Sequence, residues 1–342
     1  MVELEQERVA GAPGAVIDAV IDAVVIGRNE GARLLDCLES LQAAGMRHLV
    51  YVDSGSRDGS VAAARAAGAE VVELDMSRPF TAARARNAGL ARVAQADIPP
   101  DHVHFIDGDC RLLPGWLAPA AEFLALNPAA VVVCGRRKER FPEASIYNRL
   151  CDLEWDTPVG QAAACGGDAL FRLQPLLAAG GYRDGLIAGE EPELCLRLRR
   201  AGGQVWRLDH DMTLHDAAMT RFSQWWRRSR RAGHAYAEGA ALHGRGPERH
   251  WVAETRRALG WGLLLPLAIM AALFVSVPLG LLLALVYPAQ MLRLAARAGL
   301  SRKLSWQRAF FLVIGKLAEA QGVLTYWKNR LMGRRGALIE YK

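Results

Sequence analysis

Residues 102–110 read HVHFIDGDC, and the fold class follows from how that stretch ends. His102–Ile106 is a short apolar run of strand length, and it stops at Asp107-Gly108-Asp109. The same grammar recurs upstream. Ala23–Ile26 is apolar and partly β-branched and runs into Gly27 and Arg28-Asn29-Glu30; His48–Val52 runs into Asp53-Ser54-Gly55-Ser56. Glu70–Leu74 and Val131–Cys134 read as further strands. Between them, Leu34, Leu35, Leu38 and Leu41 recur at helical spacing, Asp58 or Ser60 can cap a second helix that Gly68 stops, and a third spans about Ala82–Gln95. Strands alternating with helices predict an α/β domain with a mainly parallel sheet covered on both faces. In such sheets ligands sit beyond the carboxyl ends of the strands, so the three polar strand ends converge on one candidate site.

Two carboxylates one residue apart in a glycine turn can face one hard cation, and Mg2+ or Mn2+ suits such oxygen donors. A divalent ion there would neutralise a departing nucleoside diphosphate. Asp53 can accept a hydrogen bond from a base N–H, a role an apolar residue could not fill. Pro192 suits a first helical position, which makes Glu191 the preceding cap; Leu194 and Leu198, closed by Gly202-Gly203, complete a short amphipathic helix. A carboxylate at that helix start is expected to stay ionised and to accept a proton from an acceptor hydroxyl, with Glu191 favoured over Glu190. His215, expected beyond a last core strand at Val205–Leu208, is a candidate third metal ligand, with His210 as its competitor.

These segments resemble the successive motifs of family 2 glycosyltransferases. The resemblance rests on AVVIGRNEG (Ala23–Gly31), DSGSRDGS (Asp53–Ser60), RARNAGL (Arg84–Leu90) and IDGDC (Ile106–Cys110), followed by GGDALFR (Gly166–Arg172) and GEEPELCLR (Gly189–Arg197). It covers about residues 20–235 and implies a GT-A, Rossmann-like nucleotide-sugar domain with an inverting mechanism. By that resemblance Arg28, Glu30, Asp53, Ser56, Arg84 and Asp107 form the donor-nucleotide set. Asp109, with Asp107 and His215, holds the metal, and Glu191 or Glu190 is the catalytic base. The sequence departs from the family pattern at Gly27-Arg28, where the family has Pro-x-Tyr/Phe, and at Glu190-Glu191, where it has Glu-Asp.

Composition changes abruptly downstream. From Ala258 to Leu292 there are 35 residues without one charge, flanked by Arg256, Arg257, Arg293 and Arg297. One helix of that length would span ~52 Å, more than the roughly 30 Å hydrocarbon core, while two crossings need about 40 residues. A short hairpin with both ends on the cytoplasmic side is therefore expected. An amphipathic interfacial helix is expected at about 309–331, interrupted by Lys316 and Glu319. The expected organisation is a tail over 1–20, the catalytic domain over 21–235, a linker over 236–257 and a membrane-associated helical region over 258–342.

The net charge of +6 suggests an anionic partner. Residues 221–231 mix Trp225 and Trp226 with five arginines, a composition suited to anionic headgroups and, beside a long apolar segment, not to nucleic acid. The six cysteines form no CxxC pair and read as buried thiols in a reducing compartment. Residues 1–20 lack a charged start followed by an apolar run, so the catalytic domain is expected at the cytoplasmic face of the membrane. The expected partners are a UDP- or GDP-linked sugar donor and a lipid-linked or glycan acceptor. A nucleotidyltransferase and a catalytically silent membrane scaffold are the alternatives.

Overall fold

The structure, a computed structural model, describes residues 19–334. The tail expected over 1–20 lies almost wholly outside them. Nine described strands form one sheet: β1 (Ile21–Gly27), β2 (Leu49–Asp53), β3 (Glu70–Glu73), β4 (His102–Asp107), β5 (Cys110–Leu112), β6 (Ala130–Glu139), β7 (Gly160–Ala162), β8 (Ala169–Arg172) and β9 (Gln204–His215). Helices α1 (Ala32–Ala43), α2 (Ser60–Ala66), α3 (Ala82–Ala94), α4 (Leu117–Leu126), α5 (Ile146–Trp155), α6 (Leu173–Ala178) and α7 (Glu190–Arg200) accompany it.

The strand order β3-β2-β1-β4-β8-β6-β9-β5 has a switch point between β1 and β4. Chain direction is parallel across β3, β2, β1 and β4, and mixed beyond them, because β8 runs antiparallel to both β4 and β6. The apolar runs seen in the sequence explain the parallel part: Ala23, Val24, Val25, Val50, Tyr51, Val52, Val103, Phe105 and Ile106 are all fully buried. A crevice must open at the switch point, since the connections after β1 and β4 leave in opposite directions.

Two local expectations are corrected. The last strand does not end at Leu208 but runs to His215, so this histidine sits inside the sheet, paired to β5. Helix α7 begins at Glu190 with Gly189 as its cap, so Glu191 lies in the first turn and Pro192 follows it at the third position. Proline is tolerated there because first-turn N–H groups have no intrahelical acceptor.

The region read as a linker is largely helical. Helix α8 (Phe222–His243) runs straight through residue 235, and α9 (Val252–Leu259) continues through a wide turn at Gly260–Leu264 into α10 (Leu265–Val275). Helices α11 (Val277–Ala284) and α12 (Val286–Ala298) form the return, and α13 (Lys303–Leu331) is the last described helix. Among the described residues, three continuous stretches are long and apolar enough to cross a membrane: Val252–Val275, Val277–Ala298 and Lys303–Leu331. The first two have 24 and 22 residues, because each helix extends past the uncharged stretch into its arginine flank. Counting only uncharged residues had left the hairpin too short. Its outer surface is bare hydrocarbon: Phe274 is 86% exposed and Val275 81%.

Helix α13 packs along α8. Glycines permit the crossing: a Cβ on Gly322 would lie 2.0 Å from the Arg230 carbonyl oxygen, and one on Gly233 2.0 Å from that of Glu319. Trp226 Nε1 donates to Gln321 Oε1 at 3.0 Å, and Trp225 meets Phe311 edge-on at 4.9 Å. Gly322→Ala is expected to cost about 1–3 kcal/mol, because a backbone carbonyl cannot step aside as a side chain could. Thermal unfolding in detergent checks this against Gly260→Ala, whose added Cβ would meet nothing within 4 Å. Equal midpoints for the two variants would show that the crossing does not need the glycine.

Candidate active site

The crevice at the β1/β4 switch is a cleft of about 560 Å3. One rim comes from the ends of β1 and β2, with Arg28, Asn29, Glu30 and Ser54. Asp107, Asp109, His215, Arg137 and Trp155 line it as well, together with Arg228 and Arg231 of α8.

The carboxylate–imidazole centre is made by strand pairing. In the antiparallel β5–β9 register Cys110 faces His215, which carries Asp109 Oδ1 to 3.5 Å from His215 Nε2 across more than 100 residues of chain. Trp155 packs edge-on against the imidazole at 4.8 Å, and Glu139 Oε2 lies 3.9 Å from Nδ1 on the other side. The Cys110 thiol is within reach of the same point. Burial first, then Asp168, hold that thiol well above its usual range. The Asp109 carboxylate and the His215 imidazole are donors suited to Mn2+ or Mg2+. His210, the competitor, is exposed and lies away from Asp109 on the opposite part of β9.

Asp107 is held differently. Its Oδ1 accepts from Arg86 Nη2 at 2.9 Å, and its Oδ2 from Arg137 Nη2 at 3.3 Å. Arg86 is almost fully buried, and its Nη1 lies 2.9 Å from both Glu190 Oε1 and Glu191 Oε1. Arg137 Nη2 reaches Asp168 Oδ1 at 2.6 Å, and Asp168 also accepts from Thr213 Oγ1 at 2.7 Å. Two guanidiniums thus face four carboxylates. Gly167 makes room for this network, since a Cβ there would stand 2.8 Å from Arg86 Nη2 and 2.9 Å from Asp107 Oδ2.

Glu190 and Glu191 do not line the cleft; Arg86 joins them to Asp107, which does. The Glu190 side chain is 5% exposed and that of Glu191 14%. The expectation that Glu191 stays simply ionised is corrected. Burial, then the adjacent Glu190 carboxylate, push it up to about 7 against the pull of Arg86. A helix start offers some tenths of a kcal/mol to an exposed anion, which full desolvation outweighs.

The remaining residues of the expected donor set divide. Arg28 and Glu30 line the cleft, with the Arg28 guanidinium 4.7 Å above the Phe80 ring and Glu30 paired to Arg33 at 2.8 Å. Asp53 is buried beneath the rim: Oδ2 accepts from the Gly55 and Ser56 amides and Oδ1 from the Tyr51 hydroxyl. Ser56 Oγ accepts from the Asn29 amide, tying the β2 turn to the β1 turn. Arg84 turns away from the cleft; its guanidinium donates to the carbonyls of Asp75, Arg78 and Pro79 and braces that loop. Of the two arginines of the RARNAGL motif, the structure brings Arg86 and not Arg84 to Asp107. Sequence reasoning also missed Arg137 and Trp155, which carry no local signature, and Asp168, although GGDALFR contained it.

Residues 22–161 match the model of glycosyl transferase family 2. The chain carries a family 2 glycosyltransferase domain. The activity of this domain is sugar transfer. Among solved structures, the chain is similar to the mannosyltransferase PcManGT from Pyrobaculum calidifontis, solved with GDP-Man and Mn2+. That match has a TM-score of 0.62 at 19% identity, covering 91% of this chain and 88% of the other. It is similar also to S. aureus TarS 1–349, with a TM-score of 0.51 at 16% identity and 92% of each chain covered. Both likenesses extend well past the family-model region, so the glycosyltransferase shares its fold with these proteins into the C-terminal helices.

Proposed function

We propose that this glycosyltransferase moves a sugar from a nucleoside-diphosphate sugar to a hydroxyl of a membrane-held acceptor, with inversion and with a divalent cation. The observation that carries the reading is the Asp109–His215 pair in a cleft that opens at the switch point of the sheet. Asp109 and His215 would hold Mn2+ or Mg2+, with Asp107 alongside, and the bound ion would stabilise charge on the departing diphosphate. PcManGT, with GDP-Man and Mn2+ bound, supports the same assignment of donor class and metal.

The chain's own groups supply the rest. Arg28 on Phe80, and the rim built by Asp53 and Ser56, would receive the base and ribose. Glu191, which stands behind the cleft lining and is joined to it through Arg86, would take the proton of the acceptor hydroxyl once that hydroxyl reaches it, as the hydroxyl oxygen attacks the anomeric carbon and the bond to the diphosphate breaks on the opposite face. Its elevated pKa, near the working range of a base at neutral pH, favours that role. Arg86 would keep Glu191, Glu190 and Asp107 in register.

A membrane-held acceptor is supported by the exposed apolar helices and by α8, which joins the cleft to α13. The domain would then work at the cytoplasmic face, with the hairpin's arginine flanks on the same side. Residues 21–235 would form the catalytic unit and residues 258–342 its membrane anchor, with α8 leading out of the first and packing against α13 of the second.

Stripping divalent ions with EDTA is expected to abolish transfer, and Mn2+ or Mg2+ to restore it. Calorimetry with UDP and GDP, with and without Mn2+, tests the same point in binding. Transfer that persists undiminished in EDTA would sink the metal assignment. Tight metal-dependent nucleotide binding with no transfer or donor hydrolysis would instead point to a silent scaffold.

A further inference from the structure

We propose that Arg228 and Arg231 form a subsite for the phosphate of a lipid-phosphate acceptor, at the end of the cleft nearest the membrane helices; this rests on the sugar-transfer reading above. Three observations converge. Both arginines line the cleft, although they belong to α8, outside the region that matches the family model. They are three residues apart, so they lie on one face of the helix. The helix that carries them is locked onto α13 through Gly233, Gly322 and the Trp226–Gln321 hydrogen bond, and α13 is long and apolar enough to cross a membrane. The α8 side of the sugar cleft is thus also the place where the protein meets lipid.

The chemistry of that side fits a phosphate. Arg228 is held in a two-pronged pair with Glu154, Nη1 to Oε2 at 2.7 Å and Nη2 to Oε1 at 3.0 Å, which ties its guanidinium to the end of α5. Arg231 stands one turn further along α8, and Arg137 also lines the cleft, its guanidinium 5.6 Å from the Trp155 ring. Guanidinium groups recognise phosphate through paired, charge-assisted hydrogen bonds, and ordered guanidiniums lose little freedom in doing so. The donor diphosphate would have its own partners at Asp109 and His215, through the cation that they would hold. A lipid whose chain lies along α13 would bring its phosphate to α8 and its sugar-accepting end toward Asp107.

Binding of phytanyl diphosphate to the purified full-length protein in non-ionic detergent tests this, with phytanol as the neutral lipid and inorganic pyrophosphate as the headgroup without a chain. GDP and UDP with Mn2+ are titrated on the same samples. Phytanyl diphosphate should bind at least tenfold tighter than either control. Arg231→Gln and Arg228→Gln should each weaken it about tenfold or more and leave nucleotide affinity within twofold. Glu154→Gln breaks the α5–α8 pair but keeps the cation, so lipid-phosphate binding that survives in it separates charge recognition from loss of structure. Phytanol binding as tightly as the diphosphate, or pyrophosphate matching the lipid, would overturn the proposal. So would an Arg231→Gln variant that loses nucleotide rather than lipid, since the arginines would then serve the donor. If the unaltered protein bound neither GDP nor UDP, the sugar-transfer reading itself would fail, and that arm reports it separately.

Discussion

Glu191→Gln is expected to lower kcat by about 10²–10⁴-fold while leaving nucleotide binding intact, because glutamine keeps the shape and the contact to Arg86 but cannot take a proton. The pH dependence of the unaltered enzyme should carry the same signature. A carboxyl raised to about 7 is largely protonated below that value and cannot act as a base there. Turnover should therefore fall as pH drops through about 7, at saturating donor and acceptor, and the acid limb should vanish in the glutamine variant. Glu190→Gln discriminates the two neighbours. It should keep an acid limb, moved to lower pH, since removing a like charge beside Glu191 favours its ionised form. A Glu191→Gln enzyme turning over within threefold of the parent would exclude this residue as the base.

Arg86→Met is the second change with a large expected effect, about 3–5 kcal/mol of lost stability. The guanidinium is 2% exposed and is the shared counter-charge of Asp107, Glu190 and Glu191. Methionine fills much of the volume but leaves those carboxylates buried without it. The sign of the pH effect follows from Glu191. Its folded-state pKa lies above the usual 4.5, so it favours the folded state at acid pH and withdraws that support as pH rises through about 7. Without Arg86, which pulls this pKa down, it should rise further, so the deficit of the Met variant should grow above about pH 7, where the unaltered protein ionises Glu191 beside a guanidinium and the variant must ionise it without one. Urea unfolding at several pH values measures it. A deficit that stays constant as pH rises through about 7, or one below about 1 kcal/mol, would mean that the cluster is better solvated than its burial implies.

Arg84 and Arg86 show why the site was only partly legible. Two residues apart on a helix, they point about 200° away from each other, so one must face the catalytic cluster and the other must not. The motif contains both and does not say which side of α3 packs toward the cleft. The structure spends Arg84 on three carbonyls of the 75–79 loop and Arg86 on three carboxylates. The ionisation of Glu191 was misjudged for a related reason: a helix start was visible in the sequence, while the burial that outweighs it was not.

From the order of residues alone came the alternation of buried strands with helices, the three polar strand ends at one edge, and the charge-free stretch that breaks the chain's composition. These are local properties, written in periodicity and in runs of like residues, and any fold of this chain must respect them. Tertiary structure alone decided that His215 meets Asp109, through β5–β9 pairing across more than 100 residues, and that α8 binds the cleft to the helices beyond it. Such partners share no pattern in sequence, because what brings them together is the register of a sheet and the close approach of glycines on separate helices.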